Sequence, residues 1–118
     1  MNKIPNKTSF LPYGKQTITN DDIEEVKKVL QSDFLTQGPR VPLFEKEICK
    51  EVNAKYAVSS NSATSSLHLA CLALGLGEED YLWTTPITFV ASANCALYCG
   101  AKIDFVDINQ ETALIDIN

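Results

Sequence analysis

Two segments of the chain combine residue types and spacings that can do chemistry. The first is Val58-Ser59-Ser60-Asn61-Ser62-Ala63-Thr64-Ser65-Ser66-Leu67, where a short apolar stretch gives way to small hydroxyl residues and then to helical periodicity. Amides at a helix N-terminus lack intrahelical acceptors and the helix dipole favours negative charge, so such a turn suits a phosphate or another anion. The small side chains let a ligand approach the backbone, and Ser62 or Thr64 can add hydroxyl hydrogen bonds. The plainer alternative is that serine and threonine simply cap a helix. The second segment is Thr84-Thr85-Pro86-Ile87-Thr88-Phe89, again between a strand-like and a helical stretch. In an open α/β sheet, ligands gather beyond the carboxyl ends of the strands, which is where both segments fall. Phe89 can lie flat against a planar ring there, or serve as a core residue at a helix start.

A third constellation is His68 and Cys71, three apart, with Cys95 and Cys99, four apart. Each pair can share a helix face, and three thiolates with one imidazole can hold zinc. The spacings of zinc-binding modules are missing, however, and cysteines in apolar helical stretches behave as small hydrophobes. No metal site is therefore expected. The lysines fall on polar helix faces, in the N-terminal lead-in or beside strands, and none sits where burial would lower its pKa for Schiff-base work.

The elements that must position these groups follow from patterning. Residues 1–18 read as a polar lead-in with an aromatic cluster from Phe10 to Tyr13. Thr19 is a candidate N-cap, with Asp22 three residues on, for an amphipathic helix from about Asn20 to Ser32 carrying Ile23, Val26 and Leu30. Gly38-Pro39 closes a loop. A second helix is expected from about Pro42 to Asn53, with Leu43, Phe44, Ile48 and Val52 as its apolar face. Tyr56-Ala57-Val58 reads as a buried strand and Ser65–Leu74 as a helix with Leu67, Ala70, Cys71 and Leu74 on one side, ended by Gly75 or Gly77. Tyr81–Thr84 is the next strand, Phe89–Tyr98 a helix capped by Gly100, and Ile103–Val106 the third strand, with one more short strand at Leu114-Ile115. Strands alternating with helices make this an α/β fold with a mostly parallel sheet and flanking helices. Three strands leave such a sheet narrow, and a parallel sheet needs both faces covered, so apolar surface should be exposed.

Composition narrows the function classes. The chain has 118 residues, 45% of them hydrophobic, and a net charge of −5, which argues against a nucleic-acid partner. No apolar run approaches the ~20 residues of a membrane span. The lead-in lacks the apolar centre of a secretory signal, so a cytoplasmic protein with reduced cysteines is expected.

Three blocks carry a family resemblance: Asn61–Ala70, Thr85–Asn94 and Phe105-Val106-Asp107-Ile108, with Phe34–Gly38 ahead of Phe44-Glu45. In order and spacing they resemble the DegT/StrS-type sugar aminotransferases, nearest the branch that makes UDP-4-amino-4,6-dideoxy-N-acetyl-β-L-altrosamine on the route to pseudaminic acid. The resemblance implies the N-terminal part of a fold type I large domain over residues 19–118, using pyridoxal 5′-phosphate. By resemblance, Ser62, Ala63 and Thr64 match the segment that holds the cofactor phosphate, with alanine where many members have glycine. Phe89 matches the aromatic that stacks on the pyridine ring. Tyr13, Asp33, Phe34, Leu35 and Thr36 match a region lining the nucleotide-sugar site, and His68 a structural position. The family's ring-nitrogen aspartate and Schiff-base lysine lie in later motifs, beyond Asn118. The implied parent reaction moves an amino group, usually from glutamate, to a UDP-linked 4-keto-6-deoxy sugar, in a homodimer. The 118 residues alone are expected to be inactive. Rival readings are a non-catalytic phosphate- or cofactor-binding module, another nucleotide-sugar branch of the family, and a zinc-held structural domain.

Overall fold

The computed structural model describes residues 12–116, so the expected lead-in lies mostly outside the described residues. The chain divides into two compact units between Leu43 and Phe44.

The first unit holds helix α1, Asn20–Leu30. Its start is a full capping box: the Asp22 N–H donates to Thr19 Oγ1 at 3.3 Å and the Thr19 N–H to Asp22 Oδ2 at 2.7 Å. The Thr19 amide, and then its hydroxyl, hold the Asp22 carboxyl below the usual carboxylate range. The helix ends at Leu30 rather than Ser32, because the Ser32 N–H and hydroxyl both turn back to the Val29 carbonyl, at 3.0 and 2.8 Å. Ile23, Val26 and Leu30 form the expected apolar stripe and all three are exposed. Val26, Val29, Leu30, Glu25 and Arg40 line a shallow groove of about 300 Å³. Gly38 is required by close packing, since a Cβ there would stand 2.9 Å from Phe34 Cβ and 3.2 Å from the Phe34 carbonyl oxygen.

Helix α2, Arg40–Glu51, begins two residues before the expected Pro42 and crosses the division between the units. The Leu43 N–H reaches the Pro39 carbonyl at 3.2 Å, so Pro42 falls within the first turn, where a missing N–H has no intrahelical acceptor to lose. Asn53, at φ 52°, closes the helix. Its N–H bonds Lys50 O at 3.4 Å while the Ala54 N–H bonds Cys49 O at 2.9 Å, the paired bonds of a Schellman motif.

The second unit carries α3 (Ala63–Ala73), β1 (Tyr81–Thr84), α4 (Ala91–Tyr98) and β2 (Lys102–Phe105). Gly75 at φ 76° and Gly100 at φ 79° end α3 and α4 by the same paired bonds. The left-handed conformation is what demands glycine at both positions. Strands β1 and β2 pair in parallel, Tyr81 opposite Lys102 through Thr84 opposite Phe105, with α4 as the crossover between them. The core is small and built of small side chains: Cys71, Ala91, Ala93, Cys95, Ala96 and Ala101 are buried where α4 meets α3 and the sheet.

The expected strand at Tyr56–Val58 does not form. Residues 56–60 have no regular secondary structure, and the sheet of the described residues is two-stranded, not three-stranded. A strand exists only through its partner, and no strand among the described residues lies beside this one. Leu74, expected on the packed side of α3, is exposed. The expected strand at Leu114-Ile115 reduces to an isolated antiparallel bridge between Ile108 and Ile115. The exposed apolar surface, by contrast, is extensive: Tyr81 and Trp83 project from the open face of the sheet, and Leu69, Leu72 and Leu97 lie bare on the helices.

Candidate functional site

The hydroxyl-rich turn before α3 folds as its residue types dictate. Ser62 is extended at φ −161° and its Oγ accepts the Ser65 N–H at 3.1 Å, capping α3. The Ser66 N–H returns to the Ser62 carbonyl at 3.0 Å, the first backbone bond of the helix. The amides of Ala63 and Thr64 have no acceptor among the described residues. Capping and anion binding are therefore compatible here. One hydroxyl satisfies one amide, and two neighbouring amides stay open on an exposed helix end with its positive dipole. Ala63 places only a methyl group beside them, and the Ser62 and Ser65 hydroxyls, 3.0 Å apart, frame the opening.

Further hydroxyls fix the turn itself. Ser60 Oγ lies 2.6 Å from Ser66 Oγ and donates to the Ser62 carbonyl at 2.9 Å. Upstream, Glu45 of α2 accepts both the Ser59 N–H at 2.8 Å and the Ser59 hydroxyl at 2.9 Å through one carboxylate oxygen. The Ser59 amide, then its hydroxyl, hold the Glu45 carboxyl below the usual range, so it is charged at neutral pH. Sequence reasoning missed this pair, although Glu45 belongs to the Phe44-Glu45 block and a carboxylate is the natural acceptor for a serine run without strand partners.

Phe89 precedes α4 rather than starting it, because the entry is a tight turn in which the Ser92 N–H bonds the Phe89 carbonyl at 3.0 Å. Phe89 is 73% exposed, which leaves its ring accessible in this chain. Tyr13 is fully exposed, and Asp33, Phe34, Leu35 and Thr36 form the exposed bend after α1. These residues belong to the first unit, the hydroxyl turn and Phe89 to the second.

The cysteine and histidine set behaves as packing. Cys71 and Cys95 are buried, Cys49 and Cys99 half-buried, and all four are free thiols. The His68 ring rests against Tyr98 with centroids 5.2 Å apart. Among the described residues no group of three or more His, Cys, Asp or Glu side chains is placed to hold a metal ion. Nor is any helix among them long and apolar enough to cross a membrane.

Comparison with known proteins fits this geometry. The signature of the DegT/DnrJ/EryC1/StrS aminotransferase family matches residues 16–118. A spore coat polysaccharide biosynthesis protein of Bacillus subtilis is 42% identical over 113 residues, covering 96% of this chain and 29% of the relative. The UDP-4-amino-4,6-dideoxy-N-acetyl-β-L-altrosamine transaminase of Campylobacter jejuni is 46% identical over 102 residues, covering 86% of this chain and 27% of the relative. Among solved structures, an aminotransferase of Helicobacter pylori involved in pseudaminic acid biosynthesis superposes with a TM-score of 0.78 at 37% identity, over 83% of this chain and 27% of that one. A Streptococcus pneumoniae protein assigned as a sugar aminotransferase, in its pyridoxal-phosphate form, gives 0.83 at 30% identity, over 90% of this chain and 27% of that one. The chain thus spans little more than a quarter of the length of these relatives. With the signature running through both the hydroxyl-rich turn before α3 and the Phe89 turn, the chain belongs to the DegT/DnrJ/EryC1/StrS aminotransferase family.

Proposed function

We propose that these residues form the cofactor-phosphate cradle and part of the nucleotide-sugar site of an aminotransferase acting on a UDP-linked 4-keto-6-deoxy sugar, with glutamate as amino donor. The observation that carries the reading is the pair of open amides, Ala63 and Thr64, at the capped start of α3. Pyridoxal phosphate is the cofactor of the family, and the residues fit it: a dianionic phosphate matches two free amides at a helix N-terminus, and a flat ring matches the bare face of Phe89. When bound, the cofactor supplies the electron sink for amino-group transfer. The residues of this chain bind and orient. Ser62 holds the first turn of α3, Ala63 and Thr64 present donors, and Phe89 would give the cofactor ring a flat face to stack on. Tyr13 and residues 33–36 are proposed to contact the sugar nucleotide.

The Schiff-base lysine and the acid that pairs with the pyridine nitrogen are proposed to come from residues outside these 118, so that the chain alone does not catalyse transamination. Every described lysine side chain is exposed, which supports this. So does the bare apolar surface, which further protein of the same fold, and a second subunit, would cover. A cytoplasmic setting is part of the same proposal. The test is a chimera in which this chain replaces the matching quarter of the Campylobacter transaminase. Formation of the 4-amino sugar by the chimera, and none by the chain alone, is expected. A folded chimera that binds the cofactor but makes no amino sugar sinks the substrate assignment, and activity of the chain alone sinks the assignment of the lysine.

A further inference from the structure

Residues 56–60 have no partner strand among the described residues, and Tyr56 and Val58 are exposed. A ligand that needs one conformation of a turn binds more weakly by the fraction of time other conformations are populated. What fixes the segment instead is Glu45. One of its carboxylate oxygens takes both Ser59 donors, across 14 residues of sequence, at 2.8 and 2.9 Å. Ser60, the next residue, is tied to Ser66 of α3 at 2.6 Å and to the Ser62 carbonyl at 2.9 Å. The approach to the cradle is thus clamped at one end to α2 and at the other to α3, and the α2 clamp is charge-assisted.

We infer that Glu45 is a positioning residue for the cofactor phosphate: by holding Ser59 it sets the turn that aims the Ala63 and Thr64 amides. This inference rests on the cradle reading above. Glu45 contacts neither amide itself. Its effect therefore reaches the ligand through the backbone and acts on the phosphate rather than on the ring.

The experiment compares affinities for pyridoxamine phosphate and pyridoxamine in the purified protein and in Glu45→Ala, Glu45→Asp and Glu45→Gln. Neither probe carries an aldehyde, so exposed lysines cannot capture them as Schiff bases. The ratio of the two affinities isolates the phosphate contribution. Glu45→Ala and Glu45→Asp are expected to lower that ratio by about tenfold, the aspartate because it is one methylene too short. Glu45→Gln keeps an oxygen in place for both Ser59 donors and should stay within about threefold of wild type. Exchange of the Ser59 amide with solvent, which needs no ligand, should quicken in the alanine and aspartate variants and be restored in the glutamine one. If wild type shows no preference for the phosphate, the cradle reading falls and this inference with it. If wild type shows the preference but Glu45→Ala keeps it, or loses affinity for both probes equally, only the inference falls. An unchanged Ser59 exchange rate in Glu45→Ala also overturns it.

Discussion

Replacing Ser62 by alanine isolates the contribution of the cap that organises the cradle. The change removes Oγ, which accepts the Ser65 N–H at 3.1 Å, and leaves the Ser62 carbonyl with its bonds from Ser66 and Ser60. The backbone start of α3 therefore persists, and the loss is that of a single N-cap acceptor, about 1 kcal/mol. Three consecutive amides, Ala63, Thr64 and Ser65, then lack acceptors, and the first turn frays. A deficit of that size corresponds to roughly fivefold faster opening of the turn, read as exchange of the Ser65 amide with solvent. Glycine at an N-cap costs only a few tenths of a kcal/mol against serine, so Ser62→Gly should fall between wild type and Ser62→Ala. The assay is hydrogen exchange resolved at single residues. Unchanged Ser65 exchange in Ser62→Ala, or faster exchange in the glycine variant than in the alanine one, would refute the assignment of the cap.

Three further outcomes follow from the same packing. Phe89→Ala should shift thermal stability by less than about 0.5 kcal/mol, because the ring is exposed, yet weaken pyridoxamine phosphate binding about two- to tenfold through lost stacking. A calorimetric melt beside a binding titration checks both halves, and a large stability loss with unchanged binding would return Phe89 to the core. Burial, followed by the neighbouring Cys95 and Cys99 thiols, pushes the Cys71 thiol up to about 11. It is therefore a neutral, sluggish nucleophile at pH 8, and its contribution to stability is present below the ordinary thiol range and lost as pH rises toward 11. Mass-resolved alkylation of the native protein at pH 8 should label Cys49 and Cys99 before Cys71, and equal rates would contradict the packing. Gly75→Ala should destabilise by about 1 kcal/mol at φ 76°, whereas Gly77→Ala, with open space around it and no left-handed backbone, should be neutral or slightly stabilising. Paired melts decide this, and an equal effect of the two would be wrong for the α3 cap.

What could be read from the sequence was what neighbours in sequence determine. Thr19 with Asp22 specifies both halves of a capping box from residue types three apart, and Asn53, Gly75 and Gly100 mark the ends of α2, α3 and α4 because each of those helices closes on a left-handed residue. Tyr81–Thr84 and Ile103–Val106, flanking a helix, sufficed to predict a parallel pair, although the second strand forms one residue earlier, at Lys102–Phe105. The failure at Tyr56–Val58 has a different origin. Its composition is that of a strand, but strand formation depends on a partner, and the N–H of Ser59, the next residue, goes to a carboxylate. The exposure of Leu74 and of the α1 stripe has the same cause, since a hydrophobic pattern records which face is to be covered but not what covers it. At the site, a serine or threonine cap with free amides after it was legible as local chemistry, but the helix expected from Ser65 begins two residues earlier, at Ala63, with Ser62 as its cap. The Glu45 clamp, a contact across 14 residues, was not. Phe89 was ambiguous in sequence between ring partner and core, because a bare apolar side chain suits a ligand or a covering element equally.

The most direct test of the cradle is a map of backbone amides, by nitrogen-15 spectra, as pyridoxamine phosphate is titrated into the protein. Saturable shifts at Ala63 and Thr64, spreading to Ser65 and Phe89 and absent at those two amides with pyridoxamine, are the predicted result. Phosphate-dependent shifts that avoid the start of α3, or that never saturate, would contradict it.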